Sequence, residues 1–443
     1  MRRDSRELEG SRVGKEGRKE CFGAGGLKGI AGMPLEEVET PALIVDLDVM
    51  EANMDMMLAF LRQGTGKGSV GIRPHAKSHK TPEIAKMQMA KGALGICCAK
   101  LGEAEAMADG GLPDIMLTSE IIGEAKVRRL AALSKRCDLK VAVDAKQNLL
   151  DISATSAADG GRVGVVIETE VGNNRCGIRT HAEAVEIARL ASTLPGVWYA
   201  GIMGYEGHAV FMPDFEERKA AASKAYDLLL GFRDAIKKDA GLDSGIVSTG
   251  GTGTYLFGGR REGITDIEAG SYIFMDTRYG STAGVDFMNS LAVLATIVSN
   301  PEKDLYVSDA GLKSMTREFG MVSTLPSYGL KVDHMSEEHI SLRPDASPDN
   351  LPGYRELDRR YAANAGKTRG RGHASHAGGA SHVPDACDVR HVADTGRSFK
   401  VGDKILLIPS HCCTTVNLHD VIYAIRDGEV EDVWRVAGRG RFV

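Results

Sequence analysis

The chain has 443 residues, 43% of them hydrophobic and 26% charged, with a formal net charge of -5. That length exceeds one ordinary core and predicts two domains of globular composition. The slight acidic balance gives no reason to expect nucleic acid or an anionic membrane as partner, and no apolar run is long enough to span a bilayer.

The chain carries eight cysteines, two adjacent pairs among them (Cys97-Cys98 and Cys412-Cys413). Such spacing does not resemble a secreted disulfide framework, and reduced thiols in an intracellular, cytoplasmic enzyme are the expectation. Residues 1–33 are polar and Gly-rich and lack the apolar core of a secretory signal; a disordered leader is predicted there.

From Thr40 short apolar strands alternate with helical patterns. Ala42 to Asp46 reads as a buried strand, followed by a helix over Val49 to Arg62. Strands are expected at the stretch before Lys77, at Gly95 to Lys100, Asp114 to Thr118, Leu139 to Val143, Val163 to Thr169, Tyr199 to Tyr205 and Ile246 to Thr249. In the long helix before the last of these, Ala221, Ala225, Leu228 and Phe232 fall on one stripe. Eight strands within about 210 residues match a (β/α)8 TIM barrel better than an open doubly wound sheet. The barrel is placed at residues 34–286. From residue 287 the pattern is mainly β, with Val421 to Ile425 pairing Val430 to Val436 through Asp427-Gly428. This second domain, 287–443, is interrupted at about 344–382 by a polar, Gly- and His-rich stretch. His373, His376 and His382 lack a surrounding Cys or acidic pattern, so a flexible insertion is expected rather than a metal site.

Three stretches carry chemistry. In Arg73-Pro74-His75-Ala76-Lys77-Ser78-His79-Lys80, Pro74 favours a strand end and Pro82 suits the first turn of the following helix. Lys77 then lies at a strand–helix junction, where barrel enzymes keep their catalytic groups. Crowding by Arg73, His75, His79 and Lys80 should disfavour its charged form and make it a nucleophile toward carbonyls; a basic surface turn has the same composition. Thr249-Gly250-Gly251-Thr252-Gly253-Thr254 offers amides and hydroxyls as an anion cradle, and Glu268-Ala269-Gly270-Ser271-Tyr272 offers a second small-residue turn. An amine and a phosphate site at one end of a barrel are what pyridoxal 5'-phosphate requires. Arg175 and Tyr205 fall at the same end and could face its ring. In Pro409-Ser410-His411-Cys412-Cys413, an extended chain would point His411 and Cys413 to one side and Cys412 away, a pair suited to a divalent metal such as Zn²⁺.

The motif around Lys77 closely resembles that of the D-threonine aldolase and eukaryotic-type D-serine dehydratase family. Gly95-Ile96-Cys97-Cys98, Arg175-Cys176-Gly177, Gly250-Gly251-Thr252-Gly253, Ala269-Gly270-Ser271-Tyr272, Asp309 to Ser314 and Glu337-Glu338-His339 are similar to further landmarks, in family order. The resemblance implies an alanine racemase-like, fold-type III enzyme. Lys77 would be the Schiff-base lysine, and Arg175, Tyr205, Gly251, Thr252, Gly253, Gly270, Ser271 and Tyr272 would contact pyridoxal phosphate. His411 and Cys413 would hold a divalent metal (Zn, Mn or Mg), with His411 and Lys77 catalytic. A small-molecule D-amino acid would be the substrate and a homodimer the assembly. The implied reaction is cleavage of D-threonine to glycine and acetaldehyde. The alternatives are dehydration of D-serine or 3-hydroxy-D-aspartate to a 2-oxo acid and ammonia, and a non-catalytic carrier of the cofactor. One position departs from the aldolase branch, which usually reads His-x-Asp where this chain reads His411-Cys412-Cys413; the dehydratase branch reads His-x-Cys.

Overall fold

The computed structural model of the protein describes residues 30–64, 68–345, 352–361 and 398–443. The leader up to residue 29 and most of the insertion lie outside the described residues. The strands are, in order, β1 (Ala42–Asp46), β2 (Gly71–Ile72), β3 (Ile96–Cys98), β4 (Asp114–Leu117), β5 (Asp138–Val143), β6 (Val163–Glu168), β7 (Val197–Met203), β8 (Ile246–Thr249) and β9 (Asp266–Ile267). They continue with β10 (Leu291–Glu302), β11 (Leu305–Ser308), β12 (Ser323–Thr324), β13 (Leu330–Met335), β14 (Ile340–Pro344), β15 (Lys404–Ile408), β16 (Val421–Arg426) and β17 (Glu429–Arg435).

Eight parallel strands form the barrel, in the order β2-β9-β8-β7-β6-β5-β4-β3, and a parallel bridge from His75 to Cys97 joins the two ends. Helices run between most of the strands, so the barrel wall is buried on both faces; this is why β4 and β6 read as largely apolar runs. A nine-stranded, mainly antiparallel sheet makes up the second domain, in the order β13-β14-β11-β10-β1-β16-β17, with β15 joining β10 to β12. Asp427 and Gly428 both have positive φ (53° and 82°) between β16 and β17, the geometry a two-residue hairpin needs.

The expected fold class holds, and four details differ from the sequence reading. Strand β1 is not in the barrel. It lies in the middle of the second sheet, antiparallel to β10 (Ala42 opposite Leu294) and parallel to β16 (Ile44 opposite Tyr423). A strand buried on both faces has the same apolar signature in either sheet, so periodicity cannot assign it. The eighth barrel strand is β9, too short at two residues to register as a pattern. On the helix Phe215–Ala240 the buried stripe runs through Ala222, Ala225, Leu229, Phe232 and Ile236, while Leu228 is exposed. Finally, residues 352–361, inside the expected insertion, form a turn and the helix Arg355–Tyr361. Tyr354, Leu357 and Tyr361 are buried, and Arg360 Nε and Tyr361 Oη donate to Asp46 at 2.7 and 2.6 Å. Composition averaged over a long polar stretch conceals so short an apolar face.

Candidate active site

Lys77 sits where the motif predicts, just past the C-terminal end of β2. The chain leaves the sheet through Pro74, whose carbonyl accepts from Cys97 N at 2.9 Å, and makes a single 3-10 turn over Ala76–Ser78. His75 caps that turn, its Nδ1 accepting from Lys77 N at 3.4 Å. Its Nε2 lies 3.1 Å from Thr118 Oγ1. The expected crowd of cations around Lys77 is largely discharged. Arg73 is ion-paired to Asp114, and Lys80 Nζ to Glu103 at 3.0 Å. Burial holds His79 at about 4, and burial with the charge of Lys77 holds His75 well below its ordinary range, so both imidazoles are neutral near pH 7.

A cavity opens beside Lys77. Arg175, Tyr205, Gly251, Thr252, Gly270 and Ser271, all expected at the site, line it. The anion loop follows β8, the seventh barrel strand. Two expected contacts stand behind the lining. Gly253 passes against Val210, whose carbonyl oxygen would lie 2.0 Å from any Cβ there. Tyr272 is buried with its hydroxyl 3.4 Å from Gln88 Nε2 and its ring edge-to-face with Phe287. Tyr205 forms a wall of the cavity. Lys77 Nζ is 5.6 Å and the Arg175 guanidinium 5.4 Å from its ring centre.

Behind Arg175 lies a buried acid. Glu168 Oε1 accepts from Arg175 Nη2 at 3.0 Å. Burial and the neighbouring Glu120 push Glu168 up to about 8, with Arg175 pulling the other way. Glu268, lining the cavity after β9, is pushed up to about 7 by burial and by Asp266, against the pull of Lys77.

His411 and Cys413 approach from the second domain. His411 is extended, but Cys412–Val416 forms a short helical turn, so the alternation expected of an extended chain fails. Cys412 does not point away: its sulfur is 3.9 Å from that of Cys413, and the three donor atoms lie within 4.8 Å of one another. Cys413 Sγ reaches the cavity wall, 3.3 Å from Ser78 Oγ and 3.5 Å from Ser271 Oγ. The Cys412 thiol pulls the Cys413 thiol well below its ordinary range against its burial, with His411 adding to the effect. Burial works against a charge on His411, yet Cys413 and Asp276 raise it to about 11.

Asp276 was not singled out by the motifs. It caps the short helix Thr277–Gly280 through Oδ1, 2.8 Å from Tyr279 N. Its Oδ2 lies 2.8 Å from His411 Nδ1 and accepts from Cys412 N at 3.0 Å. An Asp ahead of a helical turn is a legible cap, but nothing in one sequence links it to a histidine 135 positions on. Glu168, Thr118 and the carboxylate of Glu268 were missed too, because each lies at a strand end among ordinary residues.

A closed parallel barrel with a lysine past one strand and an anion loop after another, followed by a mainly β domain, is the arrangement of the alanine racemase-like class of enzymes. Comparison with known proteins narrows the class. The family described as "Alanine racemase, N-terminal domain" matches residues 45–278, and "Putative serine dehydratase domain" matches 290–356 and 376–425. A D-threonine aldolase from Arthrobacter sp. is 34% identical over 92% of this chain and 95% of its own. A 3-hydroxy-D-aspartate aldolase from Paracoccus denitrificans (strain Pd 1222) is 32% identical over 93% and 95%. The crystal structure of D-threonine aldolase from Filomicrobium marinum matches with a TM-score of 0.76 at 32% identity, covering 93% of this chain and 98% of that one. The chain belongs to the D-threonine aldolase and D-serine dehydratase family, built on the alanine racemase fold. Members of this fold family depend on pyridoxal phosphate.

Proposed function

We propose that this chain is a pyridoxal-phosphate- and metal-dependent lyase that cleaves the Cα–Cβ bond of β-hydroxy-D-amino acids, with D-threonine giving glycine and acetaldehyde. The observation that carries the reading is the meeting of the two domains. Cys413 Sγ touches Ser78 and Ser271, two residues that line the cavity beside Lys77, so the candidate metal pair stands directly behind the wall of the lysine's cavity.

The residues fit both groups. The hydroxyl of Thr252 is buried on the cavity loop with no partner, a donor awaiting an acceptor. A Cβ at Gly270 would come within 2.5 Å of Ser78 Oγ and 2.7 Å of His75 O, so only glycine leaves that turn its shape. For a metal, His411, Cys412 and Cys413 bring nitrogen and sulfur donors within 4.8 Å of one another.

Lys77 would hold the cofactor's aldehyde carbon; Thr252, Ser271 and the glycine loop its phosphate; and Arg175 and Tyr205 its ring. Pyridoxal phosphate supplies a sink for the electron pair left on Cα when a bond there breaks. A divalent metal at His411 and Cys413 supplies positive charge that lowers the pKa of a substrate hydroxyl. The chain's own groups do the remainder. Asp276 fixes the His411 ring, leaving Nε2 as its coordinating nitrogen. Tyr205 and Arg175 wall the cavity. Glu268, close to half-protonated at neutral pH, shares the cavity with the Lys77 amine, and the two are placed to take and return a proton.

Dehydration is the second reading, favoured by the thiol at position 413 where the aldolase branch usually carries a carboxylate. Product analysis separates them. With D-threonine and D-serine, after chelation and metal add-back, glycine and acetaldehyde from D-threonine are expected; a 2-oxo acid and ammonia as main products would establish dehydration instead. Tight cofactor binding with no turnover of either would leave the carrier reading. A homodimer and a reducing, intracellular setting complete the proposal; the six cysteines among the described residues are free thiols, and sedimentation would measure the assembly.

A further inference from the structure

A wholly buried acid stands behind the anion loop. Glu206 follows β7 by three residues and is 0% exposed. Neutral donors surround its carboxylate. Oε2 accepts from Gly250 N at 3.2 Å and lies 2.8 Å from Thr249 Oγ1, whose one proton it shares with Gly204 O at 2.7 Å. Oε1 accepts from Thr254 Oγ1 at 2.5 Å and from Tyr226 Oη at 2.9 Å. Among the described residues no lysine, arginine or histidine forms an ion pair with it. Burying a carboxylate without a cation is costly, and only a full set of hydrogen bonds offsets it.

Three of those four donors belong to the two ends of one six-residue loop, Thr249 to Thr254. The fourth comes from the long helix Phe215–Ala240 packed outside the barrel. Thr254 Oγ1 relays the constraint inward, accepting from Gly251 N at 3.1 Å while it donates to Glu206. The donors at the loop ends are therefore turned back toward Glu206. The middle of the loop is turned the other way, with Gly250 at a φ of 91° and Thr252 on the cavity carrying its unpartnered hydroxyl. A negative charge behind an anion site cannot attract the anion, so its service there is geometric.

We propose that Glu206 is the positioning residue of the anion cradle: by drawing in the donors at both ends of the loop, it fixes the loop's middle in the shape that receives a phosphate monoester. This inference rests on the reading of the loop as the cofactor's phosphate site. It requires that the acid act on the phosphate end of the ligand and leave the lysine end alone.

The test compares pyridoxal phosphate with pyridoxal, which lacks the phosphate, by titrating the visible band of lysine-bound ligand in wild type, Glu206→Gln and Thr254→Val. Glu206→Gln keeps the shape but offers two donor protons where the carboxylate had acceptors. Thr254→Val keeps the acid and cuts one tie. The wild type is expected to prefer pyridoxal phosphate strongly. Each variant should lose about tenfold or more of that preference, through the phosphate ligand alone, with pyridoxal affinity nearly unchanged. Equal weakening of both ligands, or an undiminished preference in Thr254→Val, overturns the role assigned to Glu206. A wild type that binds the two ligands equally overturns the phosphate-site reading itself, whatever the variants do. Should Glu206→Gln fail to fold, Thr254→Val decides.

Discussion

His411 has two ring nitrogens, and Asp276 occupies one of them at 2.8 Å. Removing that partner leaves the imidazole free to rotate, so Asp276→Ala is expected to lower metal affinity by about 10–100-fold while leaving cofactor absorbance intact. Metal analysis and a visible spectrum on one sample check both halves. At the neighbouring position, Cys413→Asp exchanges a soft donor for a hard one and should move metal preference from Zn²⁺ toward Mn²⁺. Lys77→Ala should abolish both the visible band and borohydride trapping, with turnover down by roughly 10²–10⁴-fold or more. Lys80, the other amine of the motif, is held by Glu103 at 3.0 Å and should not substitute; persistent trapping would show that it does. Glu168 gives a pH signature. Its folded pKa of about 8 stands above the ordinary 4.5, so folding favours the neutral acid. The stabilisation is complete below about 4.5 and is lost as pH rises through about 8. Glu168→Gln, permanently neutral, should flatten the fall in Tm across that window, and parallel Tm profiles would contradict the assignment. Lys77, Arg175, Thr252 and the His411–Cys413 pair were legible because each stands in a local motif whose residue types fit one chemistry. Asp276, Glu168 and Glu206 were not, because their partners are far away in sequence and only the barrel's closure brings them together.

Short elements with little sequence signal do much of the placing. The helix Arg355–Tyr361 has seven residues, yet Leu357 is fully buried and Tyr361 and Arg360 both bond Asp46 at the end of β1. Leu357→Ala should therefore cost about 2–4 kcal/mol, seen as a lower denaturant midpoint at unchanged m-value. A change within about 0.5 kcal/mol would mean that the helix contributes nothing to the core. The same brevity limited the reading of the barrel. Strands β2 and β9 are two residues each, below the length at which alternation or an apolar run can be seen. The barrel strands β5 to β7, six or seven residues long, were placed to within about two residues, the ordinary margin for boundaries. The long helix shows the converse. Its existence was plain from 26 residues of periodic pattern, but its buried stripe was displaced by about one residue because alanines occur on several faces.

On the scale of the whole molecule, the two domains are laced together from the start of the chain. Gly32 N donates to Val430 O, Val430 N to Met33 O, and Leu35 N to Gly428 O, so the described chain begins as an extra edge on the last hairpin. Deleting residues 1–29, a polar, Gly-rich stretch outside the described residues, should leave kcat within about twofold. Extending the deletion through Met33 removes two of those backbone bonds and should lower Tm by about 2–4 °C. Equal effects of the two deletions would put the boundary elsewhere. Strand β1 carries the lacing further, since its two partners, β10 and β16, both lie beyond the barrel in sequence. On the ribosome, then, the first strand to emerge is among the last to be enclosed. While the barrel is being translated, an apolar strand waits with both edges open, the kind of surface that chaperones shelter and aggregates recruit. A chain stalled before its last hairpin lacks the strand's second partner, so incomplete copies are marked for disposal by the same exposed edge.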